Sequence, residues 1–261
     1  MDRARDIGAL RQALASLDPL DQTGQSGLVS LGADPIDSAL GGGLARGAVH
    51  EIFALRTADL AAAAGFATGV TLRIENGGPL VWIRPKRAAR ETGFLYGHGL
   101  AQMGGAAGET ILVSVDSVAQ GLRAGLEAMR CAGLGAVLIE LWGHSKHFDL
   151  TASRRLALAA QKNAVMGLVL RVDAQPEPSS AATRWAISSA SSFDPLGLPG
   201  RATLLAELQR QRGAGALGRW HLEWNHGTRA FTIPALSGAM AAPSFDRQDR
   251  ARGEPGWART G

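Results

Sequence analysis

The sequence predicts an α/β fold: a mainly parallel, doubly wound sheet with an antiparallel C-terminal extension. Three observations carry this expectation. Short, nearly continuous apolar runs alternate with helical patterns through the first two thirds of the 261 residues, and runs of that kind are strands buried on both faces. A βαβα order places such strands side by side and parallel. After Asp173 the long helical patterns stop, and four strand-like runs follow with turn signals between them, which predicts antiparallel pairing.

The elements follow in order. Residues 2–17 read as an amphipathic helix, with Ile7, Leu10, Leu14 and Leu17 on one face. Asp18-Pro19 ends it, and the polar stretch from Leu20 to Gly27 reads as a linker. Core strands are expected at Ala48–Ala54, Leu80–Ile83, Thr110–Val115, Ala136–Leu141 and Gly167–Val172. Thr57–Ile74 is apolar nearly all round, so that helix should be buried. Ala88–Met103 is a Gly-interrupted helical pattern. Val118, Leu122, Leu126 and Met129 form a helical stripe with Ser117 as its N-cap. Ala152, Leu156, Ala159 and Ala160 form another, with Thr151 nearby as a cap. The extension is expected at Arg184–Ser189, Thr203–Gln209, Arg219–Trp224 and Arg229–Ile233, with a tight turn at Asn225–Thr228 and a looser one at Gly213–Gly218. From Leu236 onward hydrophobics thin out while Arg, Asp, Gly and Pro accumulate, the composition of a disordered tail. Three regions result: 1–26 helix and linker, 27–235 core, 236–261 tail.

Composition bounds the function. With 46% hydrophobic residues the chain can fill one α/β core. No uninterrupted apolar stretch reaches the length of a membrane span, and the N-terminus lacks a signal-peptide pattern, so a cytoplasmic protein is expected. The single cysteine, Cys131, excludes an internal disulfide framework and is expected to be a buried, inert thiol. Formal charge is +4 and the pI near 10.0, almost all from arginine. That bias matches GC-rich codon usage, and a positive balance also suits nucleic acid or acidic protein partners. His144, His147 and Asp149 have metal-like spacing but no fourth ligand, so a coincidental grouping is expected.

The run Leu28-Val29-Ser30-Leu31-Gly32, then Ile36-Asp37-Ser38-Ala39-Leu40-Gly41-Gly42-Gly43-Leu44, Gly47 and Glu51-Ile52-Phe53 resembles the start of the ATPase core of RecA recombinases. In that family a phosphate-binding loop follows. Such a loop needs G-x-x-x-x-G-K-[ST], whose amides cradle phosphate while Lys and the hydroxyl hold phosphate and magnesium. Here the stretch is Ala54-Leu55-Arg56-Thr57-Ala58-Asp59-Leu60-Ala61, with no glycine between Gly47 and Gly65 and no lysine before Lys86. Asp59 sets a negative charge where phosphate would sit. After the next strand, where RecA-like ATPases carry a catalytic Glu, this chain has Arg84-Pro85-Lys86-Arg87-Ala88-Ala89-Arg90. A basic run is no general base at neutral pH. It reads as a solvated turn, or as a patch of Arg84, Lys86, Arg87 and Arg90 for DNA or an acidic partner. Glu140, at the end of an apolar strand, matches the place of the magnesium-binding carboxylate and is read as structural or a relic.

Asp149-Leu150-Thr151-Ala152-Ser153-Arg154-Arg155-Leu156, Ala181-Ala182-Thr183-Arg184-Trp185 and Trp220-His221-Leu222-Glu223-Trp224 narrow the resemblance to the ImuA proteins, RecA-fold accessory factors of bacterial SOS mutagenesis. The resemblance covers roughly Leu28 to Ile233. It implies a non-catalytic role in translesion DNA synthesis, without a cofactor. The implied partners are RecA, the polymerase-like but inactive ImuB and an error-prone DNA polymerase III α subunit. Partner contacts are expected on two surfaces: the stripe of Ile7, Leu10, Leu14 and Leu17, and the tail with Arg247, Arg250, Arg252 and Trp257. The alternatives are a RecA-like ATP- or single-strand-binding protein and a SulA-type cell-division inhibitor.

Overall fold

The computed structural model describes residues 27–75, 77–105, 107–192, 201–213 and 215–234. The stripe of Ile7, Leu10, Leu14 and Leu17, and the tail residues Arg247, Arg250, Arg252 and Trp257, lie outside the described residues.

The chain opens with β1 (Leu28–Val29), α1 (Asp34–Ala39) and β2 (Leu44–Ala45), with β1 and β2 paired antiparallel in a small separate sheet. Then come β3 (Val49–Ala54), a 3-10 turn at Thr57–Asp59, α2 (Leu60–Leu72), β4 (Leu80–Pro85), α3 (Lys86–Thr92) and α4 (Gly97–Gln102). They are followed by β5 (Thr110–Val115), α5 (Val118–Ala128), β6 (Ala136–Trp142), α6 (Leu150–Asn163) and β7 (Met166–Val172). The last four strands are β8 (Thr183–Ala190), β9 (Thr203–Gln211), β10 (Gly218–Asn225) and β11 (Ala230–Thr232). Strands β3 to β11 form one nine-stranded sheet in the order β11-β10-β9-β8-β3-β7-β6-β4-β5. The six strands from β8 to β5 in that order are parallel, and β9, β10 and β11 continue the sheet antiparallel. The expected fold class is therefore the observed one.

Side chains alternate across the sheet, so each strand feeds two cores. On one face Ile52, Trp82, Leu138, Leu170 and Trp185 pack against α2. On the other, Val49, Ile83, Ile139 and Val169 pack under α5 and α6. The all-round apolarity of α2 is used on both of its sides. Phe66 stacks at 5.3 Å on Trp185 and at 5.3 Å on Phe231 of β11. Gly69 lets the extension close over the helix, since a Cβ there would lie 2.5 Å from Phe231 Cζ and 3.0 Å from Trp224 Cζ3.

Four expectations need correction. Thr110–Val115 is a strand but not one buried on both faces: it is the sheet's edge, with Ile111 and Leu112 about half exposed. The helical pattern over Ala88–Met103 is two helices, because Gly93 adopts φ 78° and ends α3 before α4 begins at Gly97. The cap of α6 is Asp149, whose extended backbone lets Oδ1 accept from Ala152 N at 2.7 Å, whereas Thr151 is already inside the helix. Cys131 is exposed, because the turn after α5 carries it outward while Met129 points into the core. Ser117 caps α5 as expected, accepting from Gln120 N. Among the described residues no helix is long and apolar enough to cross a membrane.

Candidate functional site

Open α/β sheets bind ligands beyond the carboxyl ends of their parallel strands. In this chain the ends of β3, β4 and β6 converge on a cleft of about 310 Å³ that includes Thr57, Ala61, Trp82, Arg84, Tyr96 and Glu140. Each wall follows from local sequence.

The turn after β3 is closed by its own side chains. Arg56 Nε donates to Asp59 Oδ2 at 2.9 Å, and the backbone N–H of Ser189 on β8 donates to Asp59 Oδ1 at 3.0 Å. Burial alone would raise the Asp59 carboxyl, but Arg56 and the Ser189 amide outweigh it and hold the group below the usual carboxylate range. A buried negative charge thus occupies the start of α2, where an anion would otherwise be favoured. The Thr57 hydroxyl donates to Asp173 at the end of β7.

The opposite wall is an ion pair. Leu80, Trp82 and Arg84 alternate onto one face of β4, and Glu140 and Trp142 share that face of β6. Arg84 Nε donates to Glu140 Oε2 at 3.0 Å, Trp82 Nε1 donates to the same oxygen at 3.3 Å, and Trp142 Nε1 donates to Oε1 at 2.6 Å. Burial pushes the Glu140 carboxyl above its ordinary range, while Trp142, Arg84 and Trp82 pull the other way. The rest of the guanidinium is also engaged: Nη1 donates to Gly93 O at 2.8 Å and Nη2 to Thr92 Oγ1 at 2.6 Å. Both ends of the pair have their partners inside the protein, leaving a cleft with a saturated polar floor and an apolar rim. Phe94 and Tyr96 stand on that rim, 86% and 67% exposed.

The four-residue basic patch is not one surface. Arg84 is buried in the pair just described. Lys86 is paired with Asp116 at 2.9 Å, and Arg87 donates to Trp142 O at 2.9 Å across the end of β6. Arg90 is exposed on α3. The histidines go separate ways: His144 Nδ1 lies 2.8 Å from Glu177 Oε1, and the His147 backbone N–H donates to Ser145. Asp149 caps α6, so the three do not converge.

Two buried polar groupings escaped the sequence reading. On β3, His50 Nδ1 lies 2.8 Å from Thr183 Oγ1 of β8 and Nε2 lies 2.9 Å from Ala45 O. Burial lowers its pKa from 6.5 to about 4, partly opposed by the Ala45 carbonyl. On the other face Glu51 pairs with Arg184 at 2.9 Å, and buried Arg171 lies 5.5 Å from the Phe53 ring centroid and 4.8 Å from that of Phe148. The signal was present as charged or imidazole side chains inside otherwise apolar strands, in Val49-His50-Glu51-Ile52-Phe53 and Leu168-Val169-Leu170-Arg171-Val172.

No family model matches the chain. It is 34% identical over 229 residues to Protein ImuA of Caulobacter vibrioides, in both strain NA1000 / CB15N and strain ATCC 19089 / CIP 103742 / CB 15. In each case 79% of this chain and 88% of the relative are covered. The crystal structure of the RadB recombinase superposes with a TM-score of 0.55 at 15% identity, over 80% of this chain and all of that one, a likeness of fold.

Proposed function

Because the chain belongs to the ImuA family, we propose that it is a non-catalytic accessory protein of damage-induced mutagenesis. In this reading it is an adaptor that binds RecA and a polymerase-like ImuB partner during translesion synthesis. An error-prone DNA polymerase III α subunit is its further companion, and DNA is reached through these partners. The observation that carries the reading is the Arg84–Glu140 pair. A carboxylate bonded to a guanidinium and two indoles has its charge balanced and three of its roughly four lone-pair sites filled. A RecA-type ATPase would need that carboxylate for magnesium and a cationic loop after β3 for phosphate, where this chain has Arg56 pinned to Asp59.

The test is nucleotide linkage. A ligand at a hundred times its Kd raises folding stability by about 2.7 kcal/mol. Full-length protein should show no change of Tm with millimolar Mg-ATP and no ATP turnover, while it co-purifies with RecA and ImuB. Turnover abolished by Thr57→Ala would overturn the reading.

A further inference from the structure

Helices α5 and α6 lie side by side over one face of the sheet, and the groove between them is open. Two adjoining hollows of about 690 Å³ and about 310 Å³ share Leu126 and Arg155 and run the length of both helices. The aliphatic side is Leu122, Leu126 and Leu158, the last 46% exposed at the centre of a charged helix. The rim carries Arg123, Arg130, Arg155 and Lys162. Arg130 is paired with Glu127 at 2.9 Å. Arg123, Arg155 and Lys162 have no ion pair among the described residues.

We propose that this groove docks an acidic amphipathic helix of a protein partner. The inference rests on the adaptor reading and gives it a third surface, one that lies within the described core. Charge selects the occupant. Three cations without an ion pair among the described residues, beside an aliphatic strip, complement a helix with carboxylates flanking a leucine-like stripe. From Ala152 to Asn163 the groove spans about 16 Å at 1.5 Å per residue, room for a helix of three turns. Single-stranded nucleic acid fits less well, because the lining offers one ring, His147 at one end, and no run of stacking surfaces for successive bases. A second copy would bring the same cations to the site. The chain's own N-terminal stripe is flanked by Arg3, Arg5 and Arg11 against Asp2 and Asp6, so it lacks the complementary charge.

The test is an amide-resolved NMR titration of the full-length protein. The probe is a synthetic helix-forming peptide with leucines at i, i+3, i+4 and i+7 and glutamates elsewhere. Backbone amides of residues 119–130 and 152–163 should shift. The double variant Arg123→Glu/Arg155→Glu should weaken binding at least about tenfold, and Leu158→Ser about threefold or more. All three side chains are exposed, and an unchanged Tm confirms that the variants fold. A control peptide with serines for leucines should leave the groove unshifted. Four results would overturn the inference: no shift at these amides, equal binding of the serine peptide, displacement of the peptide by a dT oligonucleotide, or groove shifts that depend only on protein concentration. The ATP experiment reports on the adaptor reading separately, so the two can fail independently.

Discussion

Glu140 keeps three N–H donors within 3.3 Å of its oxygens while lying almost wholly out of water. Removing it leaves the Arg84 guanidinium buried without a counter-charge and two indole N–H groups without acceptors. Breaking a buried pair from one side costs about 3–5 kcal/mol, so Glu140→Ala should lose that much stability in urea unfolding at pH 7. A loss below about 1 kcal/mol, the scale of an exposed pair, would refute the buried geometry. His50 governs a second residue-scale outcome. The unfolded imidazole takes its proton near pH 6.5, the buried one only near pH 4. Between those values the unfolded chain binds more protons, so stability is complete above about 6.5 and is lost as pH falls towards 4. The shift corresponds to about 3 kcal/mol. His50→Gln should be less stable than the parent at pH 7 and should lose less stability over the same acid interval. Parallel stability curves for the two proteins would exclude His50 as the titrating group.

Among the elements, α2 is the one the whole fold closes around. The Gly69 Cα faces the rings of Phe231 and Trp224, which cannot bend away as an alkyl terminus could. Gly69→Ala adds one methyl group to that contact. It should cost about 1–3 kcal/mol despite alanine's better helix propensity, a net loss that thermal unfolding would detect. A rise in Tm would mean that the extension sits further from α2. The elements were also where the sequence spoke most clearly. Apolar runs gave β3, β4, β6 and β7 to within a residue or two, and the Asn225–Thr228 turn gave the last hairpin. Neighbours were not legible, because β3 lies between β7 and β8 and such pairing depends on contacts remote in sequence. The candidate site was half legible. The missing phosphate loop is a matter of residue types, which a sequence displays. The fate of Arg84 is a matter of facing, and proximity along the chain to Lys86, Arg87 and Arg90 says nothing of facing. The alternation of Leu80, Trp82 and Arg84 was the available sign that it points inward. Cys131 was misplaced for the same reason, since a helical stripe was extended past the residue where α5 ends.

At the scale of the whole molecule, the proposed adaptor role divides the work between the core and the two ends, and each end has its own test. Leu10→Asp with Leu14→Asp should abolish RecA binding by full-length protein, because burying three or four such side chains contributes several kcal/mol before ordering costs. Retained binding in a pull-down would move the contact elsewhere. Deleting residues after Ala242 should abolish ImuB capture while leaving Tm unchanged, and an undiminished pull-down would acquit the tail.

The packing of Phe231 on Phe66 joins a residue near the end of the chain to a helix near its beginning. During synthesis α2 emerges early as an almost wholly greasy cylinder, and the hairpin that roofs it follows about 150 residues later. Until then the nascent chain must keep that cylinder from its neighbours in the crowded cell. A premature stop anywhere upstream of β11 therefore leaves an unroofed fragment that chaperones or proteases would have to remove, rather than a shorter folded core.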